Sequence, residues 1–280
     1  MRYSIKLLFF VTVLIASCAK KEMPEVINLN HNKLLILGHQ GMGELYHYPG
    51  NTFISIETVI HIGADGSEID IQLTKDSVIV LFHNQFLESK TTGSGRIKDL
   101  YWEEISKIRY TNANLPLCKL EDVLSAFSSG HPSYFSLDCK RGVDYDTGID
   151  YEWRLLRAIK RLSDKYGMEE YIFIEGDIDF LKRAKRIGLQ AKLMAQVNSL
   201  KDNIVDVKKE GIFGFGYGSN ITKEEIQLAH DSSLYVMLWN IRNEFSINST
   251  IEKNPDIIQT DKPINTLMLF DRFDYSYRIP

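Results

Sequence analysis

The sequence predicts an α/β fold of the (β/α)8 TIM-barrel class, in which eight parallel strands alternate with helices. From Lys33 onward, short apolar runs alternate with amphipathic stretches about eight times, which is the repeat of such a barrel. The chain has 280 residues, of which 44% are hydrophobic and 25% charged, and this composition suits one large globular domain. Several apolar runs end in reactive polar residues, as expected where barrel strands open into an active site.

The individual elements follow from two spacings of apolar residues. Alternating or continuous apolar runs rich in β-branched residues predict strands, and apolar residues at helical spacing predict helices. After the second strand, a turn at 75–77 and an extended run at 78–82 lead to His83. The eight barrel strands are predicted at 34–38, 66–73, 134–140, 171–175, 191–196, 211–217, 235–239 and 256–260. Helices are predicted at 51–62, 101–109, 120–127, 151–166, 179–187, 200–209, 222–229 and 263–270, with a short one near Glu244.

The N-terminus has the composition of a bacterial signal peptide. Arg2 and Lys6 form a positively charged start, and an apolar core at 7–15 is too short to span a bilayer. The segment Ile-Ala-Ser-Cys that ends at Cys18 resembles the bacterial lipobox, in which the cysteine is lipidated and becomes the new N-terminus. An ordinary signal peptide with an incidental cysteine is the alternative. The predicted organisation is a lipoprotein signal peptide at 1–17, a polar tether at 18–32 and a barrel at 33–280, anchored to a membrane of the cell envelope outside the cytoplasm.

Charge and cysteine content limit the other function classes. The net charge is −4 and no basic cluster recurs along the body of the chain, which argues against a nucleic-acid partner. Cys118 and Cys139 remain after the signal peptide. A protein outside the cytoplasm can oxidise such a pair, but two buried thiols are the favoured interpretation.

The stretch from Gly66 to His83 places two carboxylates and a histidine in one compact unit. Glu68 and Asp70 lie two residues apart in a predicted strand, so they point to the same face. Neighbouring carboxylates repel each other and raise each other's pKa unless a cation or hydrogen-bond donors lie between them. A hard divalent metal ion is the expected partner, although a solvated pair of acids is the commoner arrangement on a half-buried strand.

Further reactive residues follow the ends of other predicted strands. His39 follows the first strand, and Asp138 and Lys140 close the third on one shared face. Polar residues that point into a barrel mouth from several strands are hard to explain by packing, so a functional site is predicted there. Trp239 and Asn240 end the seventh predicted strand, and Asp261 follows the eighth.

These residues lie in a series of short motifs that resembles the glycerophosphodiester phosphodiesterase family. The motifs occur in the order and spacing of that family, and the resemblance extends over 34–270. The series consists of Gly38-His39-Gln40-Gly41, Pro49-Gly50-Asn51-Thr52, Gly63-Ala64-Asp65, Glu68-Ile69-Asp70, Leu73-Thr74-Lys75-Asp76, His83, Thr91-Thr92-Gly93-Ser94-Gly95, Asp138-Cys139-Lys140 and Ile258-Gln259-Thr260-Asp261-Lys262-Pro263.

The resemblance implies a metal-dependent barrel that splits a glycerophosphodiester into glycerol 3-phosphate and an alcohol. Glu68, Asp70 and Asp138 would hold a divalent metal, Ca²⁺ or Mg²⁺, and Lys140 would face the phosphate. A phosphodiester is a stable anion, so a metal and a lysine are suited to neutralise the charge that grows on its phosphoryl oxygens. An ordinary solvated lysine is the alternative for Lys140.

The resemblance also implies that His39 and His83 are the acid and the base. Two imidazoles with an ordinary pKa near 6.5 can take a proton from the nucleophile and give one to the leaving alcohol. The nucleophile is either water or a neighbouring hydroxyl of the substrate. For Trp239, packing at the barrel rim and a platform for the substrate are the two interpretations. The remaining histidines of the mature chain are predicted at the surface or in loops, namely His31, His47, His61, His131 and His230.

Four positions depart from the family pattern. Gln40 stands where the family has an arginine that contacts the phosphate, and Gly50 where it usually has glutamate. Asn84 replaces an aspartate, and Asp138 replaces a glutamate with a side chain one methylene shorter. Because an amide lacks the charge and the two-pronged geometry of a guanidinium, Gln40 is the candidate residue for altered substrate contact.

Two classes of function are consistent with these residues. The first is a lipid-anchored phosphodiesterase that acts on a small-molecule phosphodiester, either a glycerophosphodiester or a related glycerol- or sugar-phosphate diester. The second is a binding lipoprotein that keeps the barrel and has lost turnover, which Gln40 and Gly50 favour. The presence of both His39 and His83 favours the enzyme, because a binding protein has no use for an acid and base pair.

Overall fold

Eight parallel strands close into a barrel, as the sequence predicts. The computed structural model describes residues 24–43 and 46–280. Strand β1 pairs with the last strand at Leu35 and Ile257 and with the second strand at Leu37 and Gly66, which closes the ring. The strands are β1 Leu35–Gly38, β2 Gly66–Leu73, β3 Ile79–Leu81, β4 Cys118–Lys119, β5 Tyr134–Cys139, β6 Ile172–Gly176, β7 Lys192–Ala195, β8 Gly214–Gly218, β9 Tyr235–Ile241 and β10 Ile257–Thr260, and the barrel order is β1-β2-β5-β6-β7-β8-β9-β10.

Helices surround the barrel, and several begin at a polar residue that caps the first turn. Thr52, Asp177 and Ser199 each accept a hydrogen bond from a backbone N–H in the first turn of the helix that follows. The helices are α1 Phe53–His61, α2 Trp102–Ile105, α3 Leu120–Phe127, α4 Ile149–Tyr166, α5 Ile178–Arg186, α6 Leu200–Lys209, α7 Lys223–Asp231, α8 Glu244–Ile251 and α9 Pro263–Leu269.

Apolar residues fill two layers of this architecture. The main core lies between the strands and the helices and includes Ile36, Ile69 and Leu137, all fully buried. A smaller cluster that includes Phe173 and Met237 lies inside the barrel. We call the C-terminal ends of the barrel strands the mouth and their N-terminal ends the basal face.

Strands β2 and β3 form a hairpin that returns the chain to the mouth. They pair antiparallel, with Leu73 opposite Ile79 and Ile71 opposite Leu81. The backbone N–H of Phe82 then donates to the carbonyl of Asp70 at 3.0 Å. The next residue, His83, is therefore brought to the level of Asp70, as predicted from the turn and the extended run that follow β2.

The segment between the hairpin and α3 differs from its prediction. The helix expected at 101–109 is a single turn, α2, because Arg109 and Tyr110 leave it and form bridges to Pro116 and Thr91. The short strand β4 then pairs with β3 and was not expected. Such pairing joins parts of the chain that are far apart in sequence, so local spacing does not reveal it.

The chain from 26 to 33, which we call the basal segment, lies against the basal face. Val26 is buried, the N–H of Leu29 donates to Asp256 Oδ1 at 2.8 Å, and Tyr235 Oη donates to the carbonyl of Leu29 at 3.2 Å. Much of the predicted tether within the described residues is thus bonded to the barrel. Cys18 and the signal peptide predicted at 1–17 lie outside the described residues.

Two sequence expectations outside the site can be compared with the structure. Cys118 and Cys139 are buried free thiols, as expected. The prediction of a surface position for His230 is wrong, because its ring is buried with Nε2 2.9 Å from Asp256 Oδ2. Within 24–43 and 46–280, no helix combines the length and the apolar character that crossing a bilayer requires.

Candidate active site

His39 lies at the mouth immediately after β1 and is held by a carboxylate. Its backbone N–H donates to Thr260, and its Nδ1 lies 2.5 Å from Asp261 Oδ1. Its Nε2 faces Glu68 Oε2 at 3.8 Å. Burial alone would lower the pKa of His39, but the hydrogen bond to Asp261 and the charges of Glu68, Asp261 and Asp70 outweigh it and raise the pKa to about 9.

Three carboxylates gather beside this histidine. Glu68 and Asp70 lie on β2 and are almost fully buried, and Asp138 lies opposite Asp70 in the register of β5. One oxygen from each carboxylate lies within 4.8 Å of the others. Burial, with the charge of Asp70 added to it, raises the pKa of Glu68 well above its ordinary value.

Lys140 bridges two of these carboxylates. Its Nζ is 2.8 Å from Asp70 Oδ1 and 2.6 Å from Asp138 Oδ2. Burial opposes its charge, but the two carboxylates outweigh burial and raise the pKa of Lys140 above its ordinary value. With a side chain only 11% exposed, Lys140 is not the solvated lysine of the alternative interpretation.

The donor set fits a hard divalent cation. Carboxylate oxygens are the ligands that Ca²⁺ and Mg²⁺ prefer. Among the described residues, we find hydrogen bonds to Glu68 Oε2 and Asp138 Oδ2 but none to the second oxygen of either group. Acidic side chains outnumber cationic ones in this partly buried site, which contains Glu68, Asp70, Asp138, Glu175 and Asp261 against Lys140 and His39. Such an excess of buried negative charge requires a cation or protonation.

His83 faces the same site from the hairpin. Its Nδ1 is 2.9 Å from Asn84 Oδ1, and Asn84 Nδ2 donates to Ser89 Oγ at 2.8 Å. Since Ser89 Oγ itself donates to the carbonyl of Phe86, it accepts from Asn84, and this sets the orientation of the amide. Asn84 therefore offers its oxygen to His83, so Nδ1 of His83 carries a proton and donates it to this bond.

A cavity of about 360 Å³ opens next to His83. Its wall includes Gln40 and Asn51 on one side and Lys90 and Tyr110 on the other. Polar and aromatic groups of this kind suit a small polar molecule. The cavity therefore offers space for substrate beside His83, and its wall residues Gln40 and Asn51 connect it to Glu68 and Asp70 through hydrogen bonds.

Gln40 and Gly50 are fitted to each other in the wall of this cavity. Gln40 is 2% exposed and has a backbone φ of 53°, which is unusual for a residue other than glycine. Its backbone N–H donates to Glu68 Oε2, whereas its side-chain Nε2 is buried with no hydrogen-bond partner among the described residues. A β-carbon at position 50 would lie 2.6 Å from Gln40 Oε1, so Gly50 leaves the space that the amide occupies.

Three residues with no assigned role in the sequence prediction complete the site. Asp261 holds His39, and Asn51 donates to Asp70 Oδ2 at 2.6 Å while accepting from its backbone N–H. Glu175 is buried at the end of β6, opposite Asp138, where Ser136, Gln196 and Gln259 donate to it. Burial raises the pKa of Glu175, and the charge of Asp138 adds to this. The strand-end rule that selects Asp138 applies equally to Glu175, so the sequence contains a signal for this residue as well.

Trp239 lies near the site's rim and not within it. Its side chain is 40% exposed near the end of β9, a strand that pairs with β8 and β10 and not with β2 or β5, which carry the carboxylates. The structure therefore brings together His39, Gln40, Glu68, Asp70, His83, Asp138 and Lys140 and leaves Trp239 apart from them.

Comparisons with known proteins agree with this arrangement. The sequence model of the glycerophosphoryl diester phosphodiesterase family matches residues 39–265. The chain is 26% identical over 243 residues to a glycerophosphodiester phosphodiesterase of Caldanaerobacter subterraneus, covering 82% of this chain and 95% of that protein. For one from Bacillus altitudinis the identity is 25% over 241 residues, covering 81% and 94%.

Solved structures share the fold. A glycerophosphoryl diester phosphodiesterase from Parabacteroides distasonis superimposes with a TM-score of 0.68 at 24% identity, covering 93% of this chain and 91% of that one. A phosphodiesterase from Oleispira antarctica, in complex with the product sn-glycerol-3-phosphate, gives a TM-score of 0.71 at 16% identity, covering 84% and 96%. Because the family model spans most of the chain and the barrel brings the motif residues together, the protein belongs to the glycerophosphoryl diester phosphodiesterase family.

Proposed function

We propose that the protein is a metal-dependent glycerophosphodiester phosphodiesterase, anchored outside the cytoplasm by lipid at Cys18. Membership of the family establishes the phosphodiesterase class, and the metal and the anchor are the further steps of the proposal. The observation that carries it is the convergence of the carboxylate cluster, Lys140 and two positioned histidines at one barrel mouth.

The carboxylates of Glu68, Asp70 and Asp138 would hold a divalent ion, Ca²⁺ or Mg²⁺. When bound, such an ion polarises the phosphoryl oxygens and stabilises negative charge in the transition state. Lys140 adds a fixed positive charge next to the same position, where little water is present to screen it. Asn51 keeps the carboxylate of Asp70 in one orientation through two hydrogen bonds.

The two histidines are suited to different proton transfers. Because Nδ1 of His83 donates to Asn84, the neutral form of this ring would have its unprotonated nitrogen at Nε2, which would accept a proton from the nucleophile. The carboxylate of Asp261 favours the protonated form of His39, so His39 is placed to donate a proton to the leaving alcohol. The nucleophile is water or a neighbouring substrate hydroxyl.

A binding protein without turnover is the second candidate. The neutral amide of Gln40, in place of the family's charged arginine, favours it, because one phosphate contact loses its charge. The positioning partners of both histidines, Asp261 and Asn84, favour the enzyme, because binding alone does not require a fixed ring orientation.

Product release from a panel of diesters tests the proposal. Purified protein is incubated with glycerophosphocholine, glycerophosphoethanolamine, glycerophosphoglycerol and a sugar-phosphate diester, with and without added Ca²⁺ or Mg²⁺. We expect metal-stimulated release of glycerol 3-phosphate, which should be slower by roughly 10²–10⁴ in a His39→Ala preparation purified in parallel. Tight binding of a diester without release of any product would favour the second candidate.

The anchor is tested by changing the predicted lipidation site. Bacterial lipoproteins carry several acyl chains, which hold a protein on a membrane far more firmly than one chain does. We expect the native chain to fractionate with membranes and to carry lipid by mass spectrometry, and Cys18→Ser to lose both. A native chain that is wholly soluble and unmodified would contradict the anchor without affecting the phosphodiesterase assignment.

A further inference from the structure

Three successive backbone carbonyls around His83 each accept a hydrogen bond from a side chain elsewhere in the chain. His83 itself lies just after β3, outside the helices and strands. Two side chains, Gln72 and Tyr145, supply the bonds to the carbonyls of Phe82, His83 and Asn84. Misplacement of a reacting group by about 1 Å can cost roughly 10² in rate, so the groups that fix this backbone bear on catalysis.

Gln72 holds the backbone on both sides of His83. Its Nε2 donates to the carbonyl of Phe82 and to the carbonyl of Asn84, both at 2.8 Å, so the two N–H bonds of the amide are both used. Gln72 is 4% exposed and lies two residues after Asp70 on β2, which places the two side chains on one face of the strand. The strand that carries the carboxylates therefore also holds the backbone around the histidine.

Tyr145 holds the carbonyl of His83 itself. Its Oη donates to this carbonyl at 2.5 Å from the connection between β5 and α4. Burial raises the pKa of Tyr145, and although the charge of Lys140 opposes this, the charges of Asp70 and Asp138 add to it. The hydroxyl therefore keeps its proton at neutral pH and remains a donor to the carbonyl.

The loop that carries Tyr145 is itself fixed at two points. The N–H of Gly142 donates to Thr147 Oγ1 at 2.7 Å, and the N–H of Thr147 donates to the carbonyl of Gly142 at 3.0 Å, which closes the loop on itself. Asp146 Oδ2 lies 2.5 Å from Arg96 Nη1, in the segment that follows the hairpin. The hydroxyl of Tyr145 therefore has a defined position relative to the hairpin.

We propose that Gln72 and Tyr145 are positioning residues, which hold the backbone of His83 so that its imidazole reaches the reacting group. The proposal rests on the role of His83 in proton transfer, as given under the proposed function. Asn84 sets the rotation of the ring, whereas Gln72 and Tyr145 fix the backbone from which the ring extends. When either bond is lost, fewer enzyme–substrate complexes have the imidazole within reach, so kcat falls.

Replacement of each positioning residue tests the proposal. Tyr145→Phe removes only the hydroxyl, and Gln72→Met removes both donors while keeping a side chain of similar size. We expect each to lower kcat by roughly tenfold to a hundredfold with KM nearly unchanged, because the groups that face the phosphate are retained. Tyr235→Phe is the matched control, since its Oη donates to the carbonyl of Leu29 at the basal face, and it should keep native kcat.

The response to metal shows whether the carboxylates are affected instead. The rise in Tm on addition of Ca²⁺ should be the same in Tyr145→Phe as in the native protein, because the cluster of Glu68, Asp70 and Asp138 is unchanged. A smaller rise would overturn the proposal, because Tyr145 would then act on the metal site. Unchanged kcat in Tyr145→Phe would overturn it as well.

A double-variant cycle shows whether Tyr145 acts through His83. We expect Tyr145→Phe to lower kcat less than about threefold in the His83→Ala background, because no imidazole is left to position. An equal loss in both backgrounds would overturn the proposal, since Tyr145 would then contribute independently. Native turnover in His83→Ala would instead overturn the role of His83, and with it the positioning that depends on it, and leave the phosphodiesterase class unaffected.

Discussion

At the scale of single residues, each reactive group is held in place by the side chain of a second residue. His39 depends on Asp261, which follows the last strand, and His83 depends on the amide of Asn84. Asp70 depends on Asn51 from the first loop. Such partners fix ring and carboxylate orientation before substrate binds, which is how an active site avoids reorganising during reaction.

Replacement of either histidine tests the acid and base assignment. We expect His39→Ala and His83→Ala each to lower kcat by roughly 10²–10⁴, because each removes one proton transfer. The double variant should lose less than the product of the two single losses. A diester with an activated leaving group should restore turnover in His39→Ala and not in His83→Ala, since such a group departs unprotonated.

The histidine variants need controls for folding and for the choice of residue. Circular dichroism and metal titration should give the same results as for the native chain, and the exposed His131→Ala should keep full activity. Rescue of His83→Ala instead of His39→Ala would exchange the two roles. Native turnover in either variant would remove that histidine from the mechanism.

Gln40 is expected to tune affinity for the phosphodiester. Gln40→Arg should lower KM, because it places a cation in the wall of the cavity. The gain in binding free energy should be a fraction of the roughly 1.5–3 kcal/mol that a charged hydrogen bond contributes. Gly50→Ala should raise KM, since its β-carbon would press on the Gln40 amide. Steady-state kinetics measure both effects. Gln40→Met removes the amide while keeping a side chain of similar size, so it separates loss of the amide from a change in the shape of the cavity. Loss of turnover in Gln40→Arg would mean that the cavity is adapted to the amide and to a different diester.

At the scale of elements, the hairpin of β2 and β3 explains why the sequence was informative. Side chains alternate between the two faces of a strand, which places Glu68 and Asp70 on one face, and the turn after β2 returns His83 to their level. Short-range spacing was therefore enough to predict this part of the site. The barrel itself followed from the repeat of strands and helices. Asp261 and Asn51 were not assigned roles, because their contacts with His39 and Asp70 exist only after closure of the barrel joins distant parts of the chain.

Helix α5 offers a test of a local stabilising element. Asp177 caps this helix, where Oδ1 accepts from the N–H of Phe180 at 2.9 Å and Oδ2 accepts from Arg141 at 2.8 Å. Burial would raise the pKa of Asp177, but these two partners outweigh it and lower the pKa below the ordinary value. Asp177→Ala should therefore cost about 1 kcal/mol of unfolding free energy at neutral pH.

The pH dependence of this cap has a defined sign. A carboxylate with a lowered pKa in the folded state stabilises the protein above its ordinary pKa, and this contribution is lost as the pH falls through the folded value. Urea unfolding should thus show a difference between native and Asp177→Ala protein at pH 6 that shrinks near pH 3. Asp179→Ala, an exposed acid in the same turn, is the matched control. An equal cost for both variants, or one independent of pH, would contradict the capping role.

At the scale of the whole molecule, a cation at the mouth should stabilise the entire barrel. Glu68 and Asp70 lie on β2 and Asp138 lies on β5, so repulsion among them acts on adjacent strands of the closed sheet. Lys140 offsets part of this repulsion. A divalent ion bound to the native state would offset more of it, so activity and stability should respond to the same ligand.

Removal of metal should therefore lower both activity and thermal stability. A ligand that binds only the folded state adds about 2.7 kcal/mol when its free concentration is a hundred times Kd, so dialysis against chelator should lower Tm, and added Ca²⁺ or Mg²⁺ should restore it. Differential scanning calorimetry and product release measure the two effects on one sample. Glu68→Gln and Asp138→Asn should lose the response of Tm to metal, whereas Asp99→Asn, an exposed acid outside the carboxylate cluster, should keep it. Full activity in excess chelator after dialysis would contradict metal dependence, and native metal affinity in both Glu68→Gln and Asp138→Asn would place the ion elsewhere.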